Sequence, residues 1–69
     1  MSQAKRIIAY VERHGSITSK EAMDDLGIMR LSARMLEIGT DGEHTVSKIM
    51  EDGENRWGDK TRYARYFIN

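Results

Sequence analysis

Ala4, Ile7, Ile8 and Val11 stand at the i, i+3, i+4 and i+7 spacing that lines one face of an α-helix, while Lys5, Arg6, Glu12 and Arg13 lie off that stripe. The pattern predicts a first helix over about 2–14. His14 offers a cation to its last turn, and Gly15 accepts the left-handed backbone that ends a helix. After a short link, Ser16-Ile17, the run Thr18-Ser19-Lys20-Glu21 has the form of a capping box. It predicts a second helix over about 19–26, with Ala22, Met23 and Leu26 turned inward and Gly27 as its stop. Ile28 follows the turn, and Leu31, Met35 and Ile38 repeat at three, four and three residues, predicting a third helix over about 30–39.

Beyond the loop Gly39-Thr40-Asp41-Gly42 the period changes. The stretch 44–50 is rich in β-branched residues (Thr45, Val46, Ile49), and 62–68 carries Tyr63, Tyr66 and Phe67. Tyr63 and Tyr66, three apart in a strand, point to opposite faces. The polar, glycine-punctuated run 51–61 between the two stretches reads as the tip of a long hairpin. Trp57 in that tip reads as a lid on the core in preference to a stacking platform. The expected architecture is therefore α+β, one domain over 1–69, with three helices followed by a C-terminal two-stranded antiparallel hairpin.

Composition narrows the function. With 39% hydrophobic residues in 69, the chain can build one small core, near the lower size limit for a domain that folds unaided. A homodimer would add to so small a core. There is no Cys for a disulfide or a thiolate metal site. No apolar run approaches the roughly 20 residues of a membrane span, and the opening Met1-Ser2-Gln3-Ala4-Lys5-Arg6 lacks a secretory signal's apolar stretch. The expectation is no membrane association and a place in the cytoplasm.

Eleven Lys and Arg balance eleven Asp and Glu, which argues against a protein that coats nucleic acid by charge alone. The sign alternates along the chain: +2 over 1–36, −5 over 37–54 and +3 over 55–69.

Two short helices joined by a tight turn containing Gly27, with Leu26 and Ile28 pinning the turn, form a helix-turn-helix pattern. In such a unit the second helix enters the major groove and reads bases from its amino-terminal half. With Leu31 and Met35 buried, Arg30, Ser32, Ala33 and Arg34 are left facing outward. Arginine grips guanine O6 and N7 with two hydrogen bonds, serine bonds a base or phosphate, and alanine meets a thymine methyl. The bland alternative for Arg30 and Arg34 is a solvated helix face. Lys20 joins the set, and Arg56, Lys60 and Arg62 gather around the hairpin tip, where they would meet a phosphate backbone. Met29 and Leu36, off the main stripe, read as peripheral core or as a partner patch.

The runs Gly15-Ser16-Ile17-Thr18, Glu21-Ala22, Leu26-Gly27-Ile28, Arg30-Leu31-Ser32-Ala33-Arg34 and Thr61-Arg62-Tyr63-Ala64-Arg65-Tyr66 together resemble a small helix-turn-helix family. That family is common in bacteriophages and prophages, and its members are taken to be DNA-binding regulators. The resemblance spans roughly residues 4–68, and 30–34 and 61–66 are its most specific pieces. It implies a winged-helix fold with the third helix as recognition helix, double-stranded DNA as partner and a bacterial host's nucleoid as location. It also implies that Ala64, Tyr66 and Ile68 face the core while Tyr63, Arg65 and Phe67 face out. The chain departs from the family at Gly39-Thr40-Asp41, Leu36 and Phe67, each of which removes positive charge or adds apolar area. Met29, Leu36 and Phe67 therefore define the alternative, a protein-interaction module on the same scaffold.

Nothing points to catalysis or to a cofactor. There is no nucleophile elbow, phosphate loop or paired-carboxylate motif, and so small a domain has little room for a closed pocket. His14 and His44 read as a helix-end and a strand-start residue. Asp52, Glu54 and Asp59 lack the order of a calcium loop, so no metal is expected.

Overall fold

The computed structural model describes residues 2–69; Met1, included in the expected domain, lies outside them. Helix α1 spans Gln3–His14. Ser2 caps it by accepting the backbone N–H of Lys5, and Gly15 closes it at φ +92° with its N–H on the Val11 carbonyl. Strand β1 is the pair Ile17–Thr18. Helix α2 (Ser19–Glu21) runs directly into a π-helical turn, Ala22–Leu26, which Gly27 ends at φ +69°. Helix α3 spans Leu31–Gly39, so the first glycine of the expected loop closes the helix. Strands β2 (Val46–Glu54) and β3 (Lys60–Ile68) form the hairpin.

The sheet has three strands in the order β1-β3-β2, all antiparallel, where the sequence led to an expectation of two. Ile17 pairs with Tyr66 and Thr18 with Arg65. A two-residue strand carries no alternation to read, so the link Ser16-Ile17 concealed it. The hairpin strands also reach further than expected. They continue through Glu54 and resume at Lys60, leaving only 55–59 as the tip. Those outer rungs are held by backbone pairing between residues that are mostly polar and exposed, which hydropathy alternation does not register. At the other end β2 starts at Val46; Thr45 just before it exchanges two backbone hydrogen bonds with Asn69.

Ile7, Val11, Ile17, Ala22, Ile28, Leu31, Met35, Ile38 and Tyr66 make the core, with α1 and α3 supplying five of the nine. Ala64 and Ile68 are half-buried against it, as expected. Met23 is not part of it: the wider π turn changes the angular spacing of side chains, leaving Met23 half exposed while Ala22 is sealed. Only the base of the hairpin meets the core. Its outer half projects, which gives extents of 40 × 21 × 21 Å and a radius of gyration of 12.4 Å. A compact chain of this length would have about 11 Å.

Candidate nucleic-acid interface

The helix-turn-helix is built from local bonds. Thr18 Oγ1 accepts the Glu21 N–H at 3.2 Å and Glu21 Oε1 accepts the Thr18 N–H at 2.9 Å, a complete capping box at the start of α2. At its end the Gly27 N–H bonds the Met23 carbonyl at 3.2 Å and the Ile28 N–H bonds the Ala22 carbonyl at 3.0 Å. Gly27 needs its missing Cβ, because a left-handed backbone costs other residues about 1–2 kcal/mol. Ile28, fully buried, anchors the turn, and Leu31, Met35 and Ile38 fix α3 to the core from one side.

The outward side of α3 is less uniform than its sequence implied. Arg30, just ahead of the helix, is exposed and has no carboxylate partner among the described residues, and Ser32 is exposed. Ala33 and Arg34 are half-buried, not outward-facing. Arg34 Nη1 lies 3.3 Å from Glu37 Oε1, and its Nε is buried without a hydrogen-bond partner. Its neighbour one turn later is an acid on the same helix edge, and that pairing draws the guanidinium back along α3. Lys20 is exposed on α2 with its Nζ 3.4 Å from Asp24. Met29 and Leu36 are 77% and 71% exposed, so they are surface residues and not the peripheral core their spacing favoured. Phe67 lies on the sheet face opposite Tyr66 but is half-buried.

On the hairpin, Arg62 Nε meets Asp52 Oδ1 at 3.4 Å, and Lys60 stands directly across from Glu54. Two of the three basic residues expected on phosphate thus face acids of the neighbouring strand. Arg56 alone sits at the tip without an opposed carboxylate. The tip itself is ordered by Asn55, whose side chain accepts the N–H groups of Trp57 at 2.9 Å and Asp59 at 3.1 Å. Trp57 is 79% exposed and cannot be a lid, because the ribbon carries it away from the core.

Arg65 does more than its sequence position implies. It lies on the sheet face opposite Tyr66, yet it is half-buried there and joins three elements. Its Nε donates to Glu51 Oε1 at 2.9 Å, its Nη1 donates to Ser16 Oγ at 2.9 Å, and Nη1 lies 3.5 Å from Glu21 Oε1. Glu21 is the capping-box residue of α2, so one guanidinium ties the hairpin to the start of the helix-turn-helix. The Arg65 hydrogen bond holds Glu51 below the ordinary carboxylate range. The signal, acids 14 and 44 residues away, becomes visible only in the register. Sequence reading also left out Lys5, Arg6 and Arg13, which are exposed on α1 and lack ion-pair partners among the described residues.

Asp41, Glu43 and His44 bring three metal-capable atoms within 4.8 Å of one another. Asp41 is already committed to the turn: Oδ1 accepts the N–H groups of Glu43 and His44 at 2.7 and 2.9 Å, and Oδ2 meets His44 Nδ1 at 2.6 Å. The Glu43 N–H, then the His44 ring, pull its pKa below the usual value. Beside α3 a groove of about 550 Å³ runs between Ser32, Ala33, Leu36 and Thr40 on one wall and Val46 and Lys48 on the other.

The profile of the winged helix-turn-helix domain family matches residues 2–69. The chain belongs to that family. Neither the curated proteins nor the solved structures hold a match to it. A winged helix-turn-helix is in general a DNA-binding, non-enzymatic fold, with α3 in the place of the recognition helix and the β2–β3 hairpin as the wing. Among the described residues of this winged helix-turn-helix domain, no helix is long and apolar enough to cross a membrane.

Proposed function

We propose that this winged helix-turn-helix domain is a sequence-specific DNA-binding regulator of the phage or prophage kind, acting at the nucleoid in a bacterial cytoplasm. Helix α3 enters a major groove and the wing lies along the adjacent backbone. The observation that carries the reading is Arg30: an exposed guanidinium with no ion pair, at the amino end of the recognition helix, where base contacts are made. Ser32 follows it on the same exposed end, and Ala33 and Arg34 line the edge of the contact. Arg56 at the wing tip, with Lys60 and Arg62 behind it and Lys20 on α2, supplies phosphate contacts that hold register.

Fluorescence anisotropy on fragments of the surrounding genomic DNA, with scrambled competitor at two salt concentrations, tests this. Arg30→Ala should lose specific binding by about 1–3 kcal/mol while nonspecific binding changes little. Specific affinity unchanged by both Arg30→Ala and Arg34→Ala would refute the mechanism.

A second reading rests on the exposed Met29 and Leu36 and on the neutralised wing: the domain is a protein-interaction module. Leu36→Glu would then abolish a partner complex and leave the fold intact, measured by pull-down and circular dichroism.

A further inference from the structure

The sheet order leaves the outer edge of β2 unpaired among the described residues, all the way from Val46 to Glu54. Open edges are usually protected by short strands, bulges, proline or charge. This one is nine residues long; Lys48, Glu51, Asp52 and Glu54 charge it, but Ile49 and Met50 at its centre are 50% and 48% exposed.

The edge carries its own charge complement. Lys48 and Asp52 lie four residues apart on one face of β2, one on each side of Met50. An antiparallel neighbour with the same sequence can bring each onto the other.

We infer that β2 pairs antiparallel with β2 of a second copy of this chain, about a two-fold axis at Met50, making one six-stranded sheet. The side chains choose that register. With Met50 opposite itself, Lys48 faces Asp52 of the second copy, and the same pair recurs by symmetry. An axis at Glu51 would oppose Glu51 to itself, one at Lys48 or Asp52 would do the same to those residues, and one at Ile49 forms no charge pair. Directly opposed residues share a sheet face. Lys48 and Asp52 do share one, the face that carries Val46 and Tyr66 at the base of the hairpin.

Lys48 has no carboxylate partner among the described residues of its own chain, and Asp52 meets Arg62 through Oδ1. Continuing past the strand ends, each tip with its exposed Trp57 and Arg56 lies over the Asp41–Glu43 turn of the other copy. The groove wall at Leu36 then faces the second copy's outer ribbon. Strand β3 stays outside the interface, so Lys60 and Arg62 remain open to phosphate and the inference does not depend on the DNA reading.

The chain has no cysteine, which permits a direct test. Opposed residues of an antiparallel pair have Cα atoms about 4.5–5.5 Å apart, within disulfide reach. Under mild oxidation Met50→Cys should run at twice the 8.0 kDa chain mass on a non-reducing gel, and Asp52→Cys should stay at the chain mass. Sedimentation equilibrium adds a check: Lys48→Asp and Asp52→Lys should each be monomeric, and mixing them should restore a dimer, because the mixed pair alone opposes unlike charges. A monomeric wild type over the whole concentration series, or cross-linking that is equal at positions 50 and 52, would overturn the interface.

Discussion

Arg65 shows what one side chain does in this domain. It satisfies Glu51 on β2, Glu21 on α2 and Ser16 in the link before β1 together. Because Glu51 is held ionised below the usual carboxylate range, its contribution to stability is complete at neutral pH. It is lost as pH falls through that lower value. Arg65→Met should lower the thermal midpoint at pH 7 and flatten its decline on acidification; a thermal melt series from pH 7 down to 3 reads both. Tyr10 acts at the opposite end of the scale. Its hydroxyl donates to Asp25 Oδ2 at 2.7 Å, and that bond raises its pKa to about 12. A raised pKa stabilises the fold below the ordinary tyrosine value and the effect disappears as pH rises through about 12. Tyr10→Phe should therefore remove part of the alkaline loss of stability seen by circular dichroism between neutral pH and that limit. Gly27→Ala has room for its methyl group but not the backbone angle, so urea titration should show a loss of about 1–2 kcal/mol. Gly27 was legible in the sequence because a local conformation demanded it. Arg65 was not, because its partners are set by strand register.

At the scale of elements, the helices were the most readable part. The stripes Ile7–Val11 and Leu31–Met35–Ile38 bury the residues their period selects, and the Thr18–Glu21 box caps α2. Helical period and caps are properties of a few consecutive residues, so a local reading finds them. Met23 escaped because a π turn cannot be told from an α turn by spacing. The sheet was harder: β1 is too short to show alternation, and the outer rungs of the hairpin alternate nothing apolar. These differences predict opposite mutational costs in the same sheet. Ile17→Ala, in the two-residue strand, should cost about 2–5 kcal/mol in urea unfolding, because it empties a fully buried site. Trp57→Ala, the larger truncation, should leave stability within about 0.5 kcal/mol, because its ring touches solvent.

At the scale of the molecule, a small core carries a projecting ribbon, and that shape decides what the charges can do. A net charge of zero does not describe the surface that DNA would meet. Lys20, Arg34 and Arg62 are held by acids of the same chain, whereas Arg30 and Arg56 are not. The salt dependence of binding counts phosphates neutralised, at about 0.9 in log–log slope for each. Arg56→Ala should therefore reduce the slope measured by anisotropy, by up to about 0.9, Arg62→Ala should reduce it by less, and Arg30→Ala, which removes a base contact, should leave it nearly unchanged.

The sequence by itself determined the three helices, the turn at Gly27, the hairpin that follows and the helix-turn-helix reading. All of these rest on interactions between residues a few positions apart. Only the tertiary structure decided the third strand, the length of the wing and the partners of Arg65. It likewise decided which basic residues remain unpaired and that Met29, Leu36 and Trp57 are uncovered. Each of those depends on which distant residues a strand register or a packed face brings together, and composition and period do not specify that.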